Sequence, residues 1–115
     1  MQYMLMLYLD ETRFQTSDKA SLERIHGAYN AYTEALKTSG VLVGGDRLKP
    51  SATASTVRVK DGKSSVLDGP YAETKEQFGG FYIIDVADLD AALGWAARCP
   101  TTEHGTVEVR PIWAM

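Results

Sequence analysis

The sequence predicts an α+β fold of the ferredoxin-like kind: two β-α-β units separated by an inserted hairpin, with both helices on one face of a sheet. Three observations carry that expectation. Two short apolar runs, YMLMLYL at 3–9 and GFYIIDV at 80–86, are each followed by a helical pattern and then by another short strand pattern. Asp61-Gly62 separates two strand-like segments in the middle of the chain. At 115 residues the chain can bury one core but not two, so a single domain over 1–115 is expected.

The elements follow in order. Residues 3–9 are continuously apolar, as in a strand covered on both faces. After a polar link, residues 18–39 read as a helix whose Leu22, Ile25, His26, Tyr29, Thr33 and Leu36 share one face. Ser17 or Asp18 can cap its start, Lys37 suits its last turn, and Gly40 supplies the left-handed residue beyond it. VLVGG at 41–45 is a second strand. Residues 55–67 form a hairpin, because both central residues of an Asp-Gly turn must take positive φ. Asp88 caps a second helix with Leu89, Ala92, Leu93 and Ala96 facing inward, and Pro100 stops it. TVEVRPI at 106–112 is the last strand.

A sheet with helices on one face should show water its other face, yet both faces here are apolar. Tyr3, Leu5, Leu7 and Leu9 point one way and Met4, Met6 and Tyr8 the other; Phe81 and Ile83 oppose Tyr82 and Ile84. Only one set fits beneath the helices, so the other needs a second cover. A homodimer through the sheet faces is the expectation.

Composition narrows the function classes. Twelve basic against fifteen acidic residues give a net charge of −3 without a basic run, which argues against nucleic acid as a partner. No apolar run reaches membrane-spanning length, and the start of the chain lacks a signal peptide's pattern. A single cysteine excludes an internal disulfide, and a cytoplasmic location is expected. Two histidines without ligand spacing argue against a metal, and no cofactor fingerprint is present.

DGPYAETKE at 68–76, GGFY at 79–82 and VEVRP at 107–111 carry a likeness to a known family. With these strings the chain resembles the YCII-related family, in its DGPF branch, over essentially its whole length. Tyr71 stands where the branch has Phe, which adds a hydroxyl and keeps the aromatic ring. The resemblance implies a dimeric α+β barrel and a His–Asp pair in a pocket, by similarity to members proposed as enzymes. It also implies a regulatory partner, because genes of this branch neighbour those of extracytoplasmic-function sigma factors.

His26 is the first candidate for chemistry. It stands between Ile25 and Tyr29 on the inward face of its helix, and imidazole titrates near neutrality as a general base or acid. The alternative is a core histidine bonded to a carbonyl or a tyrosine. Asp68 opens the DGPY turn, where Pro70 stiffens the chain and would aim its carboxylate; an aspartate at this position also often bonds its own loop. Together the two make an acid–base hypothesis, with Asp68 fixing the tautomer of His26.

Residues 72–77 could form one or two helical turns from Pro70, either as a solvated charged turn or with Lys75 near a substrate. Arg47, Lys75 and Tyr71 are the expected substrate contacts, Arg47 through the fork geometry that suits an anion. Gly79-Gly80 reads as a turn with a close backbone approach. Cys99 is expected to be a buried, inert thiol, and His104 to be exposed in a polar loop. The reading is a small cofactor-free enzyme using His26 and Asp68 on a small polar metabolite. Its rival is a non-catalytic ligand-binding or regulatory module linked to a sigma factor.

Overall fold

A computed structural model describes residues 1–114. Strand β1 (Gln2–Leu9) is followed by a five-residue helix α1 (Glu11–Gln15) and the long helix α2 (Lys19–Thr38). Strand β2 (Leu42–Arg47), a 3₁₀ turn at Ser51–Thr53, and the hairpin of β3 (Ser55–Lys60) and β4 (Lys63–Asp68) come next. Strand β5 (Gln77–Asp85), helix α3 (Leu89–Arg98), a 3₁₀ turn at Pro100–Glu103 and strand β6 (Gly105–Pro111) complete the chain.

The four main strands stand in the order β2-β5-β1-β6, every neighbouring pair antiparallel. This is the ferredoxin-like arrangement, since each β-α-β crossover skips one strand. The hairpin is a separate two-stranded sheet. Among the described residues no helix is long and apolar enough to cross a membrane.

Local chemistry explains the boundaries. Asp18 caps α2, its carboxylate accepting from the Ser21 N–H at 2.7 Å, and Gly40 takes φ +73° just beyond the helix. Asp88 caps α3 in the same way through Ala91. At the hairpin turn Asp61 and Gly62 have φ of +52° and +75°, as a two-residue turn requires. The link after β1 is not merely polar. Asp10 caps α1 by accepting from Thr12 N, and Glu11 N donates to the Gln77 side chain.

The core lies between the sheet and its two long helices. Tyr3, Leu5 and Leu7 of β1 and Ile84 of β5 meet Tyr32 and Leu36 of α2 and Ala92 and Ala96 of α3. That fixes which set of β1 side chains faces the helices. Met4, Met6 and Tyr8 take the opposite face, beside Phe81 and Ile83, and remain only half-buried. In α3 the inward stripe is the expected one only in part. Ala92 and Ala96 face the core as expected, but Leu89 and Leu93 are exposed, and Ala91, Trp95 and Cys99 take their place. Alanines let the helix lie close, and Trp95 supplies the volume the leucines would have given.

Residues 69–76 form neither helix nor strand, so the turns considered after Pro70 do not form. Strand β5 starts at Gln77 and takes Gly79-Gly80 into its body rather than into a turn. Leu7 pairs with Gly80 and Tyr8 with Phe78, leaving Gly79 as the extra residue of a bulge.

Candidate functional site

A cavity of about 720 Å³ opens between the N-terminal part of α2 and the sheet, a size suited to a small molecule. Its origin is visible in the sequence pattern. Along α2 the inward stripe closes on solid core at Leu36, which is fully buried. About one to four turns earlier, Leu22, His26, Tyr29 and Thr33 face the cavity instead. The floor opposite them is glycine. Gly80 lies across from Leu7 and Arg47, and Gly45 across from Tyr82, at positions whose side chains would rise toward α2. Neither position has room for more. A Cβ on Gly45 would sit 2.5 Å from the Phe81 carbonyl oxygen, and one on Gly80 3.0 Å from that of Asp46. Close strand spacing keeps these residues small, and the missing side chains leave the space.

The walls are mostly apolar, with Leu7, Leu9, Phe14, Leu22 and Ile25. The polar groups are few and placed by identifiable bonds. Thr33 Oγ1 donates to the Tyr29 carbonyl at 2.8 Å and lies 2.8 Å from the Tyr82 hydroxyl. One hydrogen serves one bond, so Tyr82 must donate to Thr33. Tyr29 shares a hydrogen bond with Thr101 at 2.5 Å. Burial pushes the Tyr29 phenol up to about 12 and raises that of Tyr82, so both stay neutral near physiological pH. Their hydroxyl groups brace the wall.

At the mouth, Arg47 Nη1 lies 3.3 Å from His26 Nε2, and both side chains are exposed. A guanidinium only donates, so Nε2 accepts and the ring proton sits on Nδ1. The contact is long and solvated, hence weak. Glu11 also borders the cavity, but Ser51 holds its carboxylate through N–H and hydroxyl bonds of 2.8 and 2.7 Å. Asp46 borders it as well. Among the described residues no three His, Cys, Asp or Glu side chains come together as metal ligands.

Of the residues expected at the site, the structure brings His26 and Arg47 together. It does not bring Asp68, Tyr71 or Lys75 to them. Asp68 ends β4 opposite Ser55, on an exposed hairpin whose residues take no part in lining the cavity. The expected bond from Asp68 to His26 within one chain is therefore absent among the described residues. The reason is topological: the hairpin pairs only with itself and is not part of the main sheet. Tyr71 is 76% exposed and lies under the Arg58 guanidinium, 5.0 Å from its ring centre. Lys75 is exposed on the loop. Sequence reasoning missed Glu11 as a cavity residue and could take Tyr82 only as one of several tyrosines, mostly core or interface, any of whose hydroxyl groups could line a pocket. The helical turn that carries Glu11 was legible in the Asp10 cap, whereas the place of Tyr82 needed the strand register.

Cys99 is buried and burial raises its thiol pKa, in line with an inert role. His104 is not exposed as expected. Its ring is half-buried with its centre 4.9 Å from that of Phe14, and burial lowers its pKa. It belongs to a separate cavity of about 370 Å³ behind α1, not to the His26 site.

Comparison with known proteins agrees with this architecture. The model of the YCII-related domain matches residues 1–115. An uncharacterized protein of Rhizobium meliloti (strain 1021) is 40% identical over 116 residues, covering 97% of this chain and 92% of that protein. A solved structure of 5-chloro-2-hydroxyhydroquinone dehydrochlorinase from Burkholderia phenoliruptrix AC1100, in complex with 2,5-dihydroxybenzoquinone, superposes with a TM-score of 0.53 at 17% identity. The match covers 98% of this chain and 94% of that one, and at this identity it speaks for the fold.

Proposed function

This chain belongs to the YCII-related family, and on that premise we propose that it is a small enzyme that moves protons on a small anionic metabolite without a cofactor. One observation carries the reading: an exposed imidazole and a guanidinium meet at the mouth of a mostly apolar cavity of about 720 Å³. Arg47 offers a forked donor to a carboxylate, phenolate or enolate. When such an anion takes the guanidinium, the long bond to His26 breaks and the Nε2 lone pair is freed beside the bound molecule. His26 then accepts a proton from an acidic C–H or O–H. Returning it to another atom of the substrate completes an isomerisation, whereas in a lyase step the new double bond forms as the bond to the leaving group breaks, and the proton goes to that departing group. The apolar walls would hold the rest of the molecule away from water. A dehydrochlorinase on a similar fold, bound to a hydroxylated ring, lends the reading support by analogy.

The same reading takes the protein as a homodimer. Met4, Met6, Tyr8, Phe81 and Ile83 form a half-buried apolar surface on the sheet face away from the helices, which a second sheet would cover.

The test is a thermal-shift screen of small carboxylates and hydroxylated aromatic acids, followed by assay of the compounds that bind. Turnover should fall by about two to four orders of magnitude in His26→Ala, the usual worth of a general base, with the fold intact. Undiminished turnover in that variant would remove His26 from the mechanism. Tight binding with no turnover of any ligand would favour a sensor.

A further inference from the structure

We propose that Tyr82, set by Thr33, determines specificity: it faces the cavity as a hydrogen-bond acceptor alone and selects ligands that carry a hydroxyl donor at the end away from Arg47. The inference rests on the reading of the cavity as the substrate site and names the kind of molecule it takes.

Direction follows from counting hydrogens. Thr33 has one hydroxyl hydrogen, and it goes to the Tyr29 carbonyl, which can only accept, at 2.8 Å. Tyr82 lies 2.8 Å from the same Thr33 oxygen and must give its own hydrogen there. Burial raises the Tyr82 phenol, so that hydrogen stays in place near neutral pH. What remains on both hydroxyl groups is lone pairs. Tyr82 and Thr33 are half-buried and border the cavity, so those lone pairs are what a ligand meets there.

The neighbouring polar groups leave this end unchanged. Tyr29 offers the cavity its ring, because its hydroxyl reaches Thr101, which is fully buried. The Glu11 carboxylate is held by Ser51. Asp46 stands opposite Phe81 and shares its face of the sheet, so its side chain turns away from α2. The two amides of the lining, Gln15 and Asn30, are exposed to water.

Spacing completes the specification. Arg47 pairs with Gly80, and Tyr82 stands two residues farther along β5. Such diagonal neighbours share a face with their backbones roughly 7–8 Å apart. Their side chains rise to His26 and Thr33, which lie about 10 Å apart along α2. A donor fork at one end and an acceptor about a ring's width away fit an anion with a hydroxyl group on its far side. A hydroxybenzoate has that form, as does a hydroxy acid of similar length. A far group that only accepts, such as an ether or a ketone, sets lone pair against lone pair.

Isothermal titration calorimetry tests the assignment with 3- and 4-hydroxybenzoate and the methyl ether of each. The ether keeps the ring and the oxygen but has no hydrogen to give. The tighter-binding hydroxy acid is expected to exceed its ether by at least about tenfold, the worth of one stranded polar group in a half-buried site. Equal binding of acid and ether overturns the proposal, as does binding of none of the four. In Thr33→Val the Tyr82 hydrogen is released and can go to the ether oxygen, so the preference should vanish, while Thr33→Ser keeps it. A preference of wild-type size in folded Thr33→Val marks Thr33 as structural only and overturns the proposal. The wild-type comparison needs no variant, so a misfolded Thr33→Val does not shield it. Arg47→Gln keeps this inference apart from the proton-transfer reading and should weaken acid and ether alike. Unweakened binding with the hydroxyl preference intact would refute the anion at Arg47 and leave the role of Tyr82 standing; the converse result would refute the role of Tyr82 alone.

Discussion

Replacing Thr33 with Val probes the cavity wall without touching His26 or Arg47. Thr33 Oγ1 donates to the Tyr29 carbonyl and accepts from the Tyr82 hydroxyl, each at 2.8 Å. Valine has nearly the shape and helix propensity of threonine, so neither a void nor a backbone penalty enters. The change leaves the Tyr82 hydroxyl with no protein acceptor. A buried donor stranded in this way costs about 1–3 kcal/mol. Tyr82 is half-buried at an open cavity and water can replace part of the bond, so the low end, about 1 kcal/mol, is expected. For a domain of this size that lowers Tm by about 4 °C or slightly more. A second readout follows from ionisation. Burial raises the Tyr82 phenol. Once ionised it can only accept, so the Thr33 hydroxyl turns from the Tyr29 carbonyl to donate to the phenolate and draws the raised pKa part of the way back. Thr33→Val has no such donor and should move the titration to still higher pH. Thermal denaturation and ultraviolet difference titration measure the two effects, with Thr33→Ser as the control that keeps the hydroxyl. A Thr33→Val protein with wild-type melting and an unchanged tyrosine titration would refute the assigned donor–acceptor chain.

Gly80→Ala should lose about 1–3 kcal/mol in urea denaturation, because its Cβ would press 3.0 Å from the Asp46 carbonyl oxygen of the neighbouring strand. Stability should also fall on the alkaline side. Tyr29 is raised from 10.0 to about 12 in the folded chain, so its contribution is whole below pH 10 and is lost as pH climbs toward 12. Tyr32 and Tyr82 shift the same way, and Tyr29→Phe should show the smaller loss in urea midpoint across that window. Met6→Lys, on the sheet face away from the helices, should reduce the mass seen by light scattering from twice the 12.6 kDa chain mass to that of one chain. A wild-type protein already at 12.6 kDa at micromolar concentration would remove the dimer from the account.

Much of the fold was legible because its signals are local. The Asp18 and Asp88 caps, Gly40 beyond α2 and the Asp61-Gly62 turn each depend on residues within a few positions of one another. The inward face of α3 was half misread because periodicity cannot tell which stripe of an Ala-rich helix is pressed to a sheet; Ala92 and Ala96 lie inward as expected, but Leu89 and Leu93 lost their place to Ala91, Trp95 and Cys99. The site was legible in half. His26 and Arg47 meet at the cavity, whereas the stiff turn after Asp68 said how its carboxylate is held and nothing of where the hairpin points.

The sequence by itself determined the order of elements, their caps and turns, and the alternation that makes the sheet apolar on both faces. Only the tertiary structure decided that Tyr3, Leu5 and Leu7 face the helices, that Gly45 and Gly80 open a cavity beneath α2, and that Asp68 stands apart from it. The division has a physical cause. Caps, turns and periodicity are settled by neighbours along the chain, while register, helix tilt and the direction of a hairpin are settled by contacts between segments far apart in it.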